Sequence, residues 1–376
     1  MQLTNEYNYS YWELKQYFRQ FDLVVVGGGI VGLSAAISFK QKNKQATVLV
    51  LERGILPNGA STKNAGFACF GSAGELLDDL SHIKPEVVWE TVKMRWDGLQ
   101  MLRKRLGDKK IAFKLSGGYE LFKDKRVYDE HLDQLDKLNK NVDEVLGLKK
   151  CYGPYAGKNQ FKKIAGMVLN KYEGDIDTGM MMDSLLALAQ KNNIKILNNI
   201  GVSEINDLKT RVELTTNAGV FKASKVIVAT NGFATQLLKL RDVLPARAQV
   251  LITKPIPHLS IKGTYHYEQG YYYFRNIDGR VLLGGGRNLD IETETTTEPR
   301  LNNRIQHQLI KLLKEMILPG VAFEIESQWA GIMGVGKEKK PIIRPVSENV
   351  LAAVRMGGMG IAIGSWVGEK AAGEIM

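Results

Sequence analysis

Residues 23–26 form a continuous apolar, β-branched run, glycines follow, and over residues 30–40 the apolar positions recur at helical spacing before a second apolar run at 47–51. The pattern predicts strand, tight turn, helix and strand: a βαβ unit of about 30 residues whose parallel pairing requires a right-handed crossover. Ahead of it, residues 12–20 predict a short helix whose aromatic residues dock on the main body. Residues 86–106 and 124–146 predict two long amphipathic helices. Val87, Val88, Val92 and Trp96 carry the first, and Leu132, Leu135, Leu138, Val142 and Leu146 the second.

A further helix falls within 174–190, capped by Asp177 or Thr178. Strands are expected at 195–197 and 211–215, and residues 225–229 read as another buried parallel strand that returns the chain to the first sheet. From 245 to 287 the pattern is antiparallel, with Asp278-Gly279 as a hairpin turn between strands at 271–275 and 281–283. A helix near 302–316 follows, and Gly357 to Gly360 lead into an apolar C-terminal helix. There is no repeat or low-complexity tract. A chain of 376 residues exceeds the roughly 250–300 at which single cores stop growing, so two domains are expected. The fold class is α/β: a parallel-sheet domain (1–85, 156–240 and 328–376) interwoven with an α+β domain containing a largely antiparallel sheet (86–155 and 241–327).

Composition narrows the class only modestly. The chain is 44% hydrophobic and 24% charged, with 38 glycines, which excludes disorder. Its net charge of +11 is spread out: Arg103, Lys104, Arg105, Lys109 and Lys110 alternate with acidic stretches, as on a solvated surface rather than a nucleic-acid patch. Cys69 and Cys151 are too few for a disulfide framework and fit a reducing compartment. The N-terminus, with Glu6 and Glu13, lacks the order of a signal peptide, and no apolar run approaches the roughly 20 residues of a membrane span. A soluble, cytoplasmic protein is expected. His82, His131, His258, His266 and His307 show no metal-site spacing, so no metal is expected.

The chemistry starts at Gly27-x-Gly29-x-x-Gly32, between the first strand and its helix, with Glu52 closing the second strand. Such glycines allow a tight turn, let backbone approach a pyrophosphate and let the helix pack on the sheet, while the helix N-terminus faces phosphate charge and the acidic residue accepts ribose hydroxyls. The turn alone does not distinguish NAD from FAD.

Three more segments do: Gly59 to Phe67 (GASTKNAGF), Trp329 to Gly334 (WAGIMG) and Arg355 to Ile361 (RMGGMGI). Together with the glycine turn they resemble the FAD-dependent D-amino-acid oxidase superfamily, which includes glycine oxidase, sarcosine oxidase and γ-glutamylputrescine oxidase; the likeness runs from about residue 21 to the C-terminus. It implies a Rossmann-like FAD-binding domain, with Gly27, Gly29, Gly32, Glu52 and Arg53 on the ADP portion. Ser61, Thr62, Lys63, Asn64, Ala65, Gly66 and Phe67 would run past the pyrophosphate toward the flavin. Val202 would make a backbone contact to adenine. Met356, Gly357, Gly358, Met359, Gly360, Ile361 and Ala362 would bring amides and a helix N-terminus to the flavin O2 side, where positive potential stabilises anionic reduced flavin.

By the same resemblance Tyr271, in Tyr271-Tyr272-Tyr273-Phe274-Arg275, faces the flavin, and period-two alternation places Tyr271, Tyr273 and Arg275 on one face. Plain strand propensity accounts for the tyrosines equally well. The two arginines that hold the substrate carboxylate in glycine oxidase are Met333 and Gly358 here, which weakens the case for a simple α-amino acid; Arg275 or Arg287 could substitute. Leu282 stands where sarcosine oxidase has an oxygen-activating lysine, and Arg344 where the family often has glycine. Cys69 invites a covalent flavin link but is better read as a small buried residue. His266, between Tyr265 and Tyr267, is either near the substrate channel or an ordinary strand histidine.

The expected function is hydride transfer from an amine or amino-acid-derived substrate to flavin N5, with oxygen as the reoxidant. Two alternatives stand beside it: a flavin-dependent enzyme of tRNA wobble-uridine modification, for which no RNA-binding module is seen, and a flavin-binding redox partner without turnover.

Overall fold

The structure is a computed structural model that describes residues 8–157 and 161–376; Glu6 and the rest of the first seven residues lie outside the described set. The predicted βαβ unit forms. β1 (Gln20–Val26) and β2 (Val48–Leu51) pair in parallel, with Leu23 opposite Val48 and Val26 opposite Leu51. α2 (Ile30–Lys42) crosses between them, and every residue from Ile30 to Phe39 is buried, which is why this helix has no polar stripe.

The sheet is completed by strands from far along the chain. β11 (Gly219–Val228) lies on the other side of β1 and β18 (Val350–Val354) beyond it, while β8 (Lys195–Leu197) borders β2, all in parallel. β17 (Ile342–Ser347) adds antiparallel to β18, and β9 (Val202–Asp207) and β10 (Val212–Thr216) extend the first half of β11. One face of the sheet buries Val25, Val50 and Ile227 against α2, α4 (Pro85–Leu106), α7 (Thr178–Lys191) and α9 (Gly360–Glu374). A side chain at Gly98 would meet the Ala362 carbonyl at 2.3 Å, so glycine there sets the approach of α4 to α9.

The second sheet has the order β16-β12-β15-β14-β13-β4-β6-β5. Its strands are β4 (Gly118–Phe122), β5 (Tyr152–Pro154), β6 (Gly166–Asn170), β12 (Leu244–Thr253), β13 (Thr264–Tyr267), β14 (Tyr272–Ile277), β15 (Arg280–Gly285) and β16 (Ile325–Val335). All pairs are antiparallel except β13 with β4. Tyr272, Phe274 and Leu283 point to one face and pack under α8 (Asn303–Leu312), while Val250, Tyr273 and Leu282 point to the other. Asp278 and Gly279 both take positive φ (49° and 74°), the type I′ hairpin geometry their sequence signals. β3 (Phe67–Ala68) and β7 (Gly174–Asp175) form a small separate pair, and α3 (Ala73–His82) follows β3.

Four local expectations change. Residues 124–146 are two helices, α5 (Lys125–Leu132) and α6 (Leu135–Leu146), because only the second drives a stripe (Leu135, Leu138, Val142) into the core while α5 buries no residue fully. The apolar spacing runs unbroken across their junction, so the break leaves no periodic trace. The N-terminal helix α1 is Tyr11–Tyr17, and its Tyr11, Trp12, Leu14 and Tyr17 are exposed; the docking ring is the following Phe18, stacked 4.7 Å from Phe221. β6 and β16 belong to the second sheet, so that sheet draws on residues on the first-domain side of the expected boundaries at 156 and 328. The helix near 302–316 is α-helical only to Leu312 and finishes as a wider π turn over Leu313–Ile317.

Candidate active site

Between the two sheets lies an elongated cavity of about 990 Å³, near the top of the roughly 300–1,000 Å³ usual for ligand pockets. One end is the turn after β1, at the carboxyl edge of the parallel strands. Gly27 has φ +110°, and a Cβ there would stand 2.8 Å from the Ala229 carbonyl oxygen. A Cβ on Gly29 would come within 2.8 Å of Ser61 Oγ, and one on Gly32 within 1.9 Å of the Gly27 carbonyl oxygen. Gly27 and Gly29 therefore line the cavity as bare backbone, whereas Gly32 lies behind it and lets α2 sit against the turn. Gly29 offers no side-chain cap to α2; Ser61 Oγ accepts from the Ile30 amide at 3.0 Å.

Glu52 is buried and holds this end together. Its Oε2 accepts from the Gly28 amide and its Oε1 from the Gly54 amide, each at 2.9 Å, with the Asn58 amide at 3.4 Å from Oε1, and the residue lines the cavity. The Arg53 guanidinium lies 3.6 Å over the Phe233 ring, and Ile200 to Ser203, Val202 among them, complete this wall.

The second motif forms a short 3₁₀ turn, Ala60–Thr62, and a loop pinned from several sides. Asn64 donates to Ser61 O at 2.8 Å and accepts from the Gly66 amide (2.9 Å) and the Thr178 hydroxyl (2.8 Å); Trp329 Nε1 donates to Lys63 O at 3.0 Å, tying the loop to β16. Ser61, Lys63, Asn64, Ala65 and Phe67 line the cavity. Thr62 and Gly66 do not: the Thr62 hydroxyl closes its own turn onto Pro57 O (2.7 Å), and Gly66 makes a positive-φ turn against Ile176 O.

All seven residues from Met356 to Ala362 line the cavity. Gly357 and Gly358 take φ +58° and +84°, and the Asn231 side chain accepts from the amides of Arg355 (3.1 Å) and Met356 (3.2 Å). The N-terminus of α9 has no side-chain cap, so its amides remain available on the cavity side. Bare glycine backbone, the start of α2, the uncapped start of α9 and a buried carboxylate make a cradle that fits the expected FAD, with the β1 turn and Glu52 suited to the ADP portion and the α9 loop to the flavin.

The opposite end is built from side chains far apart in sequence. Met333 lines it, and a Cβ on Gly358 would lie 3.4 Å from Met333 Sδ, so the two positions expected to lack arginine adjoin one another. Tyr271 stands at the rim, 47% exposed, and Tyr273 lies deeper, its ring 5.7 Å from Phe67. Arg275 is a correction. Although on the same face as Tyr273, it is buried and does not line the cavity; its Nη1 pairs with Asp175 at 3.0 Å and reaches the Gly66 carbonyl at 3.4 Å, so it braces the small β3–β7 pair. Arg287 does line the cavity, half-buried beside Tyr271, its pKa lowered by burial.

Sequence reasoning missed Glu75 and Asn231, which line the cavity, and Glu173, which does not, whereas Cys69 and His266, singled out above, are both found on the cavity wall. Glu75, on α3, is held at a pKa of about 2: burial alone would raise it, but Arg95 (3.1 Å) and Lys339 (3.1 Å) overcome that. Cys69 is buried, and burial with Glu173 and Glu75 nearby pushes its thiol well up, away from the reactive thiolate. His266 is brought to the cavity wall, near Cys69 and Glu173, the one group of ligand-type side chains found together among the described residues. Asn231 could have been found from its place just past the β11 strand end, where crevices form. Glu173 carries no local signal. Among the described residues no helix is long and apolar enough to cross a membrane.

The profile of the family described as FAD dependent oxidoreductase matches residues 22–373. The chain is 26% identical over 274 residues to 4-methylaminobutanoate oxidase (formaldehyde-forming) of Paenarthrobacter nicotinovorans, covering 69% of this chain and 31% of that protein. Among solved structures it superposes on a glycine oxidase of Bacillus cereus (TM-score 0.73, 18% identity, 95% and 97% of the two chains). It also superposes on the L-proline dehydrogenase of P. horikoshii (TM-score 0.72, 18% identity, 95% and 94%).

Proposed function

This chain belongs to the FAD dependent oxidoreductase family, and from that premise we propose that it oxidises a carbon bearing an amine nitrogen in a substrate whose acidic group is remote or absent, with oxygen as the final acceptor. FAD, held by the glycine turn after β1, Glu52 and the Met356–Ala362 loop, would supply a two-electron acceptor for the substrate's hydride. The chain's own residues bind, orient and dry the substrate: Phe67 and Tyr273 form the apolar wall, with Leu282 packed in the same cluster, and Met333 with Gly358 forms the side adjoining the α9 loop.

The observation that carries the reading is the placing of arginines, the cations able to grip a carboxylate with two hydrogen bonds; the lining lysines are Lys63, on the second motif, and Lys339, paired with Glu75 and Asp79. Among the described residues that line the cavity, the arginines are Arg53, at the ADP end, and Arg287, at the rim with Tyr271. A carboxylate on the reacting carbon would sit against Met333 without a guanidinium, a desolvation loss of several kcal/mol. A carboxylate several carbons away reaches Arg287 instead. The likeness to 4-methylaminobutanoate oxidase supports this, since that named substrate separates its amine from its acid by several carbons.

The test is anaerobic mixing of the flavin-loaded protein with single compounds while the flavin absorbance is followed. N-methyl ω-amino acids and alkylamines are expected to bleach it, and glycine and D-alanine to do so at least tenfold more slowly. Rapid bleaching by glycine or D-alanine, with none by the others, overturns the reading.

A further inference from the structure

His266 and Glu173 meet at the cavity wall from opposite directions. His266 is on β13, opposite Glu120 of β4 in the parallel register and Tyr273 of β14 in the antiparallel one, so all three side chains share the face turned to the cavity. Glu173 arrives from the turn before β7 and is completely buried. Its Oε1 accepts from the amides of Phe70 and Gly71, both at 3.2 Å. It lies over Gly118, where a Cβ would fall 2.0 Å from Glu173 Oε2. That leaves Oε2 aimed at His266 Nε2, 3.5 Å away, and neither atom has a hydrogen-bond partner. Phe67 packs its ring edge-on against the imidazole at 5.2 Å, fixing its plane. A buried carboxylate anchored on one oxygen, directing the other at an imidazole that borders a substrate cavity, is an arrangement for moving a proton.

We propose that His266, oriented by Glu173, is the base that takes the proton from the substrate's ammonium group, a role that rests on the amine-oxidising function above. The step is R–NH₃⁺ plus neutral imidazole giving R–NH₂ plus imidazolium: one N–H bond breaks at the substrate and one forms at the ring, with no electron transferred. It is needed because a nitrogen can push hydride off the neighbouring carbon only with a free lone pair.

The surroundings tune the base in the useful direction. Burial lowers the imidazole pKa, but Glu173, then Glu120 and Glu75, outweigh it and the net shift is upward, closer to that of an alkylammonium. The other charged or titratable neighbours do not reverse this. Cys69 is a protonated thiol, Arg95 is engaged with Glu75 and the Phe70 carbonyl, and burial raises Glu120 itself, whose carboxylate accepts from the Gly74 amide at 2.6 Å.

The first experiment is a proton-NMR titration of the histidine ring signals in the flavin-loaded protein, with the His266 resonance assigned by its loss in His266→Gln. The expected midpoint lies above the ordinary 6.5 and falls by at least one unit in Glu173→Gln, whose amide oxygen can still accept from Phe70 and Gly71. A midpoint at or below 6.5 that Glu173→Gln leaves in place overturns the proposal. So does a divalent metal that copurifies and is lost in Cys69→Ser, since it would occupy the imidazole.

The second experiment follows flavin reduction by the best amine against pH. His266→Gln is expected to retain flavin, to slow reduction at pH 7 by a hundredfold or more, and to recover as the pH rises toward the substrate's own pKa, where free amine arrives without help. A defect constant with pH shows a packing role and overturns this proposal alone. A wild-type protein that no amine reduces overturns the function and this proposal together.

Discussion

The two ends of the cavity are made in different ways. The end at the β1 turn is backbone: Gly27, Gly29, the start of α2 and a carboxylate occupied with amides, nearly all within residues 26–64. The opposite end is side chains drawn from β13, β14, β16, α3 and the turn before β7, held by ion pairs such as Arg275–Asp175 and Arg95–Glu75 that bridge 100 and 20 residues of sequence. Backbone sites fail by losing their ligand, because a substitution fills space the ligand needs. Side-chain sites fail by losing stability, because removing one partner strands a buried charge.

The sharpest break of that contrast is Gly29→Val. The added side chain projects into the cradle, and its nearest protein neighbour is the movable Ser61 hydroxyl at 2.8 Å. Flavin retention should fall by more than a hundredfold while the urea midpoint of the flavin-free protein stays near wild type; near-complete flavin occupancy after purification would show the cradle misassigned. Next is Arg275→Ala, which leaves Asp175 without its partner. It should cost about 3 kcal/mol in urea unfolding and leave the KM for an amine within threefold. An unchanged midpoint with a raised KM would return Arg275 to the substrate site.

The smallest effect is a pH dependence. Glu75 has its folded pKa lowered to about 2 from an ordinary 4.5, so its contribution is fully present above that ordinary value and disappears as the pH falls toward 2. Its side chain is 20% exposed, so screening reduces the contribution to on the order of 1–2 kcal/mol. The stability gap between wild type and Glu75→Gln should narrow between pH 5 and pH 2. A gap that holds constant across that range would remove the Arg95–Glu75–Lys339 cluster from the account.

The same contrast explains what could be read from the chain. The βαβ unit, Glu52 and the Asp278-Gly279 hairpin were legible because each is a short-range pattern with one structural solution. The order of the second sheet was not, since the parallel pairing of β13 with β4 joins residues near 265 to residues near 119 with no local cue. Alternation correctly put Arg275 on the face of Tyr273, but alternation gives a face and not a partner, and Asp175 lies 100 residues away. In the sequence His266 stands out only for its tyrosine neighbours. The partner that gives it a chemical role is Glu173, which nothing in the surrounding sequence distinguishes from a surface glutamate.

The place of β18 in the first sheet bears on how the chain is made. Val226, Ile227 and Val228 of β11 are buried on one side by β1 and on the other by residues 350–352, and α9, which covers that strand, ends at Glu374. A ribosome delivers β18 more than 120 residues after it has finished β11, since the one begins at Val350 and the other ends at Val228. Until then one edge of the central sheet stays open and apolar, an exposed template for pairing with a neighbouring nascent chain. Synthesis therefore passes through a window, between the completion of β11 and the arrival of β18, in which that edge is unpaired, and any stop upstream of residue 350 releases a product that cannot close the parallel sheet.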